Sequence, residues 1–433
     1  MKKKIISLGA TLLLAVLLAS NAFAVGPAAA SEAYLVMDAD TGQVLLSSNM
    51  DMPKNPASIT KIMIMGLACQ KAQGDWSIQL TVSHDAVYSL YKTGSSHIAL
   101  QEGEAVSLAD MLYAAELVSA NDAANVLAEY VGGTIEGGVE AMNAQAAALG
   151  LQNTHFTNPH GITDAEHYVS AYDMAVILRW ALQQPGFEEL FCENEMYTMQ
   201  PTNLQSEARY FSLKDYIRIG SKSAYVSTVT GSKTGYTDDA RYTYACLAEQ
   251  DGVRLICVVL HSQLRTEKFS DVKLLLNHAF SNFHREEIPA GGQTAQLEVA
   301  GGGDVLGALA LASPGVSLLL HNELTAANVQ VSMEAADRYV LGSGVTPAAV
   351  YTVDGAGLQE SWSVRVPVEP AGLDELLKAS AGAVLPASAD VAPESRTARN
   401  GLIAAGVVLA PAAAALVLAR RGRKTARAKK PKS

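Results

Sequence analysis

Ser58-Ile59-Thr60-Lys61 sets a hydroxyl and an amine three residues apart, a spacing that puts both on one face of a helix. A serine hydroxyl attacks a carbonyl only when a neighbouring base takes its proton. A lysine can be that base if burial or a second cation keeps its amine partly neutral. Asn55-Pro56-Ala57-Ser58 reads as a helix start, because proline is favoured at the first helical position. Backbone N–H groups left free at such a start can bind a developing oxyanion. The spacing alone does not select Ser58, since Ser89-Leu90-Tyr91-Lys92 and Ser270-Asp271-Val272-Lys273 repeat it. What sets Ser58 apart is the apolar helix around it, where a hydroxyl and an ammonium without partners would be costly.

Two further groups can join this pair. Ser119-Ala120-Asn121 falls between two helical segments, where its side chains either enter a cleft or cap the second helix. Lys233-Thr234-Gly235 occurs once, in a strand-like stretch. There the ammonium and hydroxyl can hold a substrate carboxylate, while the glycine lets a substrate backbone approach.

The elements that must position these residues follow from periodicity. Ala33 to Met37 and Gln43 to Leu46 flank Asp40-Thr41-Gly42 as a strand hairpin. Pro56 to Gln70 is hydrophobic nearly all round, which predicts a buried helix. Residues 107 to 150 are helical in pattern, with Asn121 or Asp122 capping a helix that Gly132-Gly133 ends. A helix over 171–184 closes at Pro185-Gly186. Strands take over from Gly231 to His261 around the Asp251-Gly252 turn, and helical spacing returns from Phe269 to Phe283. Pairing outward from that turn sets Cys246 opposite Cys257, a distance that suits either a disulfide or two packed free thiols. This order predicts an α+β fold, an antiparallel sheet with helices packed against it, over 32–285. A smaller all-β domain is expected over 288–371, on strands such as Gln296 to Val299, Ser317 to Leu320, Val329 to Met333 and Ser361 to Val366.

The two ends give an address. Three lysines, an apolar run and Ala22-Phe23-Ala24 read as a signal peptide over 1–24. Residues 372–399 read as a linker, 400–419 as a transmembrane helix and 420–433 as a basic cytoplasmic tail. The expectation is an exported protein anchored in the cell membrane, its catalytic domain on the extracytoplasmic side. The whole chain carries −11; with three cations in the leader and eight in the tail, the rest stands at −22. So acidic a body argues against nucleic acid as a partner. No Cys/His cluster has zinc spacing, and no metal or other cofactor is expected.

Ser-x-x-Lys, Ser-x-Asn and Lys-Thr-Gly in this order form the signature of penicillin-interacting serine enzymes. The longer strings Asn55 to Lys61, Ser119 to Asn125, Asn153 to Gly161 and Gly231 to Thr237 resemble the D-alanyl-D-alanine carboxypeptidases of the low-molecular-mass penicillin-binding group. The resemblance is close over about 32–285 and looser for the β domain and C-terminal anchor. It implies a penicillin-binding/β-lactamase-like fold with a helical subdomain. It also implies a peptidoglycan stem peptide ending in D-Ala-D-Ala as substrate and β-lactams as covalent inhibitors. Carried over, Ser58 is the nucleophile, Lys61 the general base, and Ser119 the proton shuttle to the leaving amine. Asn121 orients Lys61 and the substrate amide, while Lys233 and Thr234, with Gly235 beside them, hold the terminal carboxylate. The backbone N–H groups of Ser58 and Tyr236 form the oxyanion hole. Tyr236 departs from the histidine frequent at that position, and Arg265 matches a basic position near the carboxylate site. His160 is assigned to a structural loop.

Three other readings share some of these residues. A β-lactamase would add a Glu-x-x-Asn base loop between the second and third motifs; only near misses of the Glu136 to Val139 type are read there, and the extra β domain also argues against it. A D,D-endopeptidase would use the same catalytic set. A non-catalytic wall-binding sensor would be expected to have lost Ser58, Lys61 or Lys233, all of which are present.

Overall fold

Alternation between apolar and polar residues is missing from the middles of the central strands, Tyr244 to Ala248 and Leu255 to Leu260, and such stretches must be covered on both faces. The computed structural model shows this, and describes residues 26–368 except 194, 292–293, 302–303, 335–337, 341–346 and 360. The leader at 1–24, the linker at 372–399, the apolar span at 400–419 and the basic tail lie outside the described residues. Among the described residues no helix is long and apolar enough to cross a membrane.

The main sheet holds β1 (Ala33–Asp38), β2 (Val44–Ser48), β3 (Val229–Thr237), β4 (Arg241–Gln250) and β5 (Val253–Ser262). Its order is β2-β1-β5-β4-β3 and every pairing is antiparallel. Successive side chains feed two cores. Leu35, Met37, Ala245, Leu247, Ile256 and Val258 enter one, while Tyr34, Val36, Tyr244, Cys246, Cys257 and Val259 enter the other. Cys246 does stand directly opposite Cys257, and both are free, fully buried thiols.

The first core is shared with helices α1 (Lys61–Ala72), α2 (Leu108–Leu117), α3 (Asn121–Gly132), α4 (Ile135–Ala148), α5 (Ala171–Ala181) and α6 (Phe187–Cys192). The second is covered by α7 (Arg265–Asn282) through Val272, Leu275, Leu276 and Ala279. Ser107 and Asp110 close a capping box at the start of α2. The expected cap of α3 does not form: Ala120 is the capping position, with no side-chain bond. Asp122 instead accepts the N–H groups of Ile98 and Leu100, because the first turn of α3 is buried against that loop.

The β-rich segment has its own core around Leu318, Leu320, Tyr351, Val353 and Val364. The strand Phe283–Ile288, at the end of the helix-bearing part, pairs antiparallel with Val316–His321 of this segment. The strand Asp304–Ala312 was not anticipated, because alanine, glycine and leucine give little strand signal; Ala348–Val353 was also not singled out, although its Val-Tyr-Thr-Val run favours a strand.

Helices α3 and α4 meet so closely that a Cβ at Gly138 would lie 2.5 Å from the Ala128 Cβ. Helix propensity alone makes Gly→Ala stabilising by up to about 1 kcal/mol, whereas overpacking costs about 1–3 kcal/mol. Gly138→Ala is expected to lower the melting temperature, which thermal unfolding of the two proteins checks.

Candidate active site

Ser58 is half-buried in a 3-10 turn, Ala57–Thr60, that runs straight into α1. The turn is fastened from three sides. Asn55 Oδ1 accepts the Ala57 N–H at 3.0 Å, Thr243 on β4 donates its hydroxyl to the Pro56 carbonyl at 2.7 Å, and Thr60 Oγ1 donates to the Ala57 carbonyl at 2.8 Å. Ala57 is held at φ +51° and Ser119 at φ +57°, left-handed conformations that a non-glycine residue adopts only under constraint. Gly161, at φ +89°, backs onto the turn so tightly that a Cβ there would lie 1.8 Å from the Ala57 carbonyl oxygen. Only glycine fits.

Lys61 is fully buried, and its Nζ has three partners: Ser58 Oγ at 3.1 Å, Asn121 Oδ1 at 2.7 Å and the His160 carbonyl at 2.9 Å. The last two can only accept hydrogen bonds. A neutral amine therefore commits its two N–H groups to Asn121 and His160, and its lone pair is left facing the Ser58 hydroxyl. Burial drives the Lys61 pKa well below its ordinary value, and the charge of Lys233 drives it the same way against a smaller opposing effect of Asp122. The geometry and the electrostatics favour the same species, a deprotonated lysine beside the serine.

Asn121 is thus brought to Lys61 by α3, and the capping alternative for its side chain is excluded. Ser119 lies two residues earlier at the α2–α3 junction, its Oγ buried and without a hydrogen-bond partner among the described residues. The edge strand β3 carries the third motif past the serine. A Cβ at Gly235 would meet the Ser58 backbone nitrogen at 2.9 Å and the Pro56 carbonyl at 3.0 Å, so the glycine brings β3 and the turn into contact. Strand alternation places Lys233 on the Gly235 side and Thr234 on the other, half-buried at the open edge. Tyr236 is exposed at the rim, its ring tilted against that of Tyr242 with centroids 4.6 Å apart. Arg265 is exposed at the start of α7 with its guanidinium over the Tyr216 ring, and the structure gives it no direct bond to the three motifs. The other two Ser-x-x-Lys strings are surface features, with Ser89, Lys92, Ser270 and Lys273 all exposed.

Sequence reasoning missed several contributors. Lys268, one turn beyond Arg265, is buried over the rings of Tyr244 and Phe269; burial lowers its pKa to about 8, with the charge of Asp215 opposing this and those of Arg265 and Lys233 adding to it. Asp215 accepts the hydroxyls of Ser232 at 2.6 Å and Tyr244 at 2.5 Å, tying β3 to β4. The structural reading of His160 misses its backbone, which is a ligand of Lys61. Glu140-Ala141-Met142-Asn143 does have the Glu-x-x-Asn spacing, but it lies within α4. Asn143 brackets the Phe156 backbone and Glu140 faces solvent, so it supplies no hydrolytic base. Among the described residues no cluster could hold a metal ion.

Comparison with known proteins meets this geometry. The family model for D-alanyl-D-alanine carboxypeptidases matches residues 20–263, more than half of the chain. The chain belongs to this family. The D-alanyl-D-alanine carboxypeptidase DacF of Bacillus subtilis is 33% identical over 276 residues, 63% of this chain and 68% of that one. DacA of Escherichia coli is 30% identical over 259 residues, covering 58% and 61%. Among solved structures, penicillin-binding protein 5 of Haemophilus influenzae is similar with a TM-score of 0.61 and 26% identity, covering 79% of this chain and 98% of that one. The Streptomyces K15 DD-transpeptidase is similar with a TM-score of 0.54 and 25% identity over 59% of this chain and 99% of that one. The fold is therefore the mixed α+β penicillin-binding fold of this carboxypeptidase family.

One buried histidine ties the site of this family member to pH. The Thr157 N–H donates to His167 Nδ1 at 3.0 Å, so Nε2 carries the proton and faces Thr60 Oγ1 at 2.9 Å. Burial holds the His167 pKa at about 4, below its ordinary 6.5. The folded state thus prefers neutral His167, and the unfolded chain takes up a proton first. The stability from this group is full above about pH 6.5 and is lost as the pH falls toward 4, by about 3 kcal/mol at most. Thermal melts from pH 7 to pH 4 are expected to show a flatter decline for His167→Asn than for the parent. Parallel declines would refute this assignment.

Proposed function

We infer that the protein is a serine-type D-Ala-D-Ala carboxypeptidase, acting on peptidoglycan stem peptides and binding penicillin covalently. The observation that carries this reading is the commitment of the Lys61 amine to Asn121 and the His160 carbonyl, which aims its remaining valence at Ser58. Ser58 Oγ attacks the carbonyl between two D-alanines as its proton passes to Lys61. The oxyanion is received by the N–H groups of Ser58 and Tyr236, and the C–N bond breaks as Ser119 relays the proton to the leaving amine. Water then hydrolyses the ester and restores Ser58. The substrate carboxylate is held by Lys233 and Thr234, and Lys268 adds a buried positive charge behind them. A β-lactam follows the same first step, but its leaving amine stays tethered, so the ester persists.

The same reading places the enzyme outside the cytoplasm, exported by the 1–24 leader and held to the membrane by the apolar stretch at 400–419. The lack of charge from Gly401 to Ala419 and the eight cations that follow support that arrangement.

Labelled penicillin is expected to remain bound to the wild-type protein through denaturation and to leave Ser58→Ala unlabelled. Incubation with a stem pentapeptide is expected to release free D-alanine, again only with Ser58 present. Labelling of Ser58→Ala equal to that of the parent would remove Ser58 from the nucleophile's role. Covalent labelling without D-alanine release would exclude the carboxypeptidase activity.

A further inference from the structure

Glu116 occupies the last turn of α2, three residues before Ser119 in the chain. It is 3% exposed, and neither carboxylate oxygen has a hydrogen-bond partner among the described residues. A buried carboxylate left without hydrogen bonds costs several kcal/mol of desolvation unless nearby charge compensates it. The assignment of Ser58, Lys61, Ser119, Asn121 and Lys233 gives it no task.

The charged and titratable groups around it come from each neighbouring element. Lys233 lies on β3, Asp215 and Arg218 on the segment that precedes β3, and Cys192 at the end of α6. Arg218 is already engaged, its guanidinium donating to the Phe191 and Cys192 carbonyls at 3.1 and 2.6 Å. Asp215 is engaged with Ser232 and Tyr244. Lys233 is thus the cation that Glu116 is free to serve.

We propose that Glu116 is a positioning residue that keeps Lys233 an ammonium inside the protein and, through that charge, keeps Lys61 available as a base. Burial opposes charge on Lys233, and of the two carboxylates that oppose this loss, Glu116 acts more strongly than Asp215. The Lys233 charge in turn helps hold down the Lys61 pKa. Removing the Glu116 charge therefore makes Lys233 lose its proton at lower pH. Lys61 then loses its depressing neighbour, and the ligand carboxylate loses its cation. Burial raises the Glu116 pKa to about 7, so the carboxylate is ionised on the alkaline side of neutrality, where Lys233 needs it.

This inference rests on the acyl-transfer reading, and the same assay separates the two. The rate of acylation by labelled penicillin is measured from about pH 6 to about pH 11 for the full chain, Glu116→Gln and Glu116→Asp. The alkaline limb for Glu116→Gln is expected about one pH unit lower, about tenfold slower there, while Glu116→Asp restores most of the difference. A loss of packing alone would slow acylation evenly across the range. No acylation of the wild-type protein would refute the enzyme reading. Wild-type acylation with an unmoved alkaline limb in Glu116→Gln would refute the role of Glu116. Should Glu116→Gln not fold, the carboxyl signal of Glu116 in 13C-glutamate-labelled protein is followed instead, identified by its loss in Glu116→Asp. Acylation brings a ligand carboxylate to Lys233, so the Glu116 titration is expected to move upward; an unmoved titration would overturn the proposal.

Discussion

Everything in this site depends on keeping one amine uncharged in the middle of a protein. Lys61 is deprived of solvent on all sides, yet its nitrogen has no unmet bonding capacity, because an amide oxygen, a backbone carbonyl and the serine hydroxyl surround it. Removing water without supplying those partners would leave buried polar groups unpaired, at a cost that destabilises the helix. Supplying a carboxylate partner instead would stabilise the ammonium and remove the base. The three partners are neutral, and the nearest formal charges acting on Lys61 are another lysine, which favours the neutral form, and Asp122, whose oxygens are already taken by backbone N–H groups.

The fold serves this arrangement by making rigid contacts between distant pieces of chain. Gly235 and Gly161 are the two points where backbone must touch the nucleophile's turn, one from the sheet edge and one from a loop. Both contacts are steric, so they fix position without adding polarity near the amine. Lys233, on the same strand as Gly235, is then carried to the place where its charge acts on Lys61.

Much of this was legible in the sequence. The three motifs, the apolar helix and the hairpin at Asp251-Gly252 are local signals, and the structure brings Ser58, Lys61, Asn121 and Lys233 to one place. Side chains whose meaning comes from distant partners were harder to read. Asn121 looked equally like a cap, because capping and ligation use the same amide group. Lys268 carries no local signal, because its burial among aromatic rings exists only in the folded helix. Glu116 sits in an ordinary helical pattern, and nothing local says that its oxygens will find no partner.

The sheet order has a further consequence for how the enzyme comes into being. β1 pairs with β5, joining Ala33 to Leu260 and Asp38 to Leu255, so the first strand made must wait for the last. Until then the β1–β2 hairpin is a short apolar ribbon with an open edge, the kind of surface that other chains can add to. Such non-local pairing makes for slow closure, since the entropy of a long loop is lost before its contacts are gained. The chain acquires its nucleophile only when both ends of the domain have met.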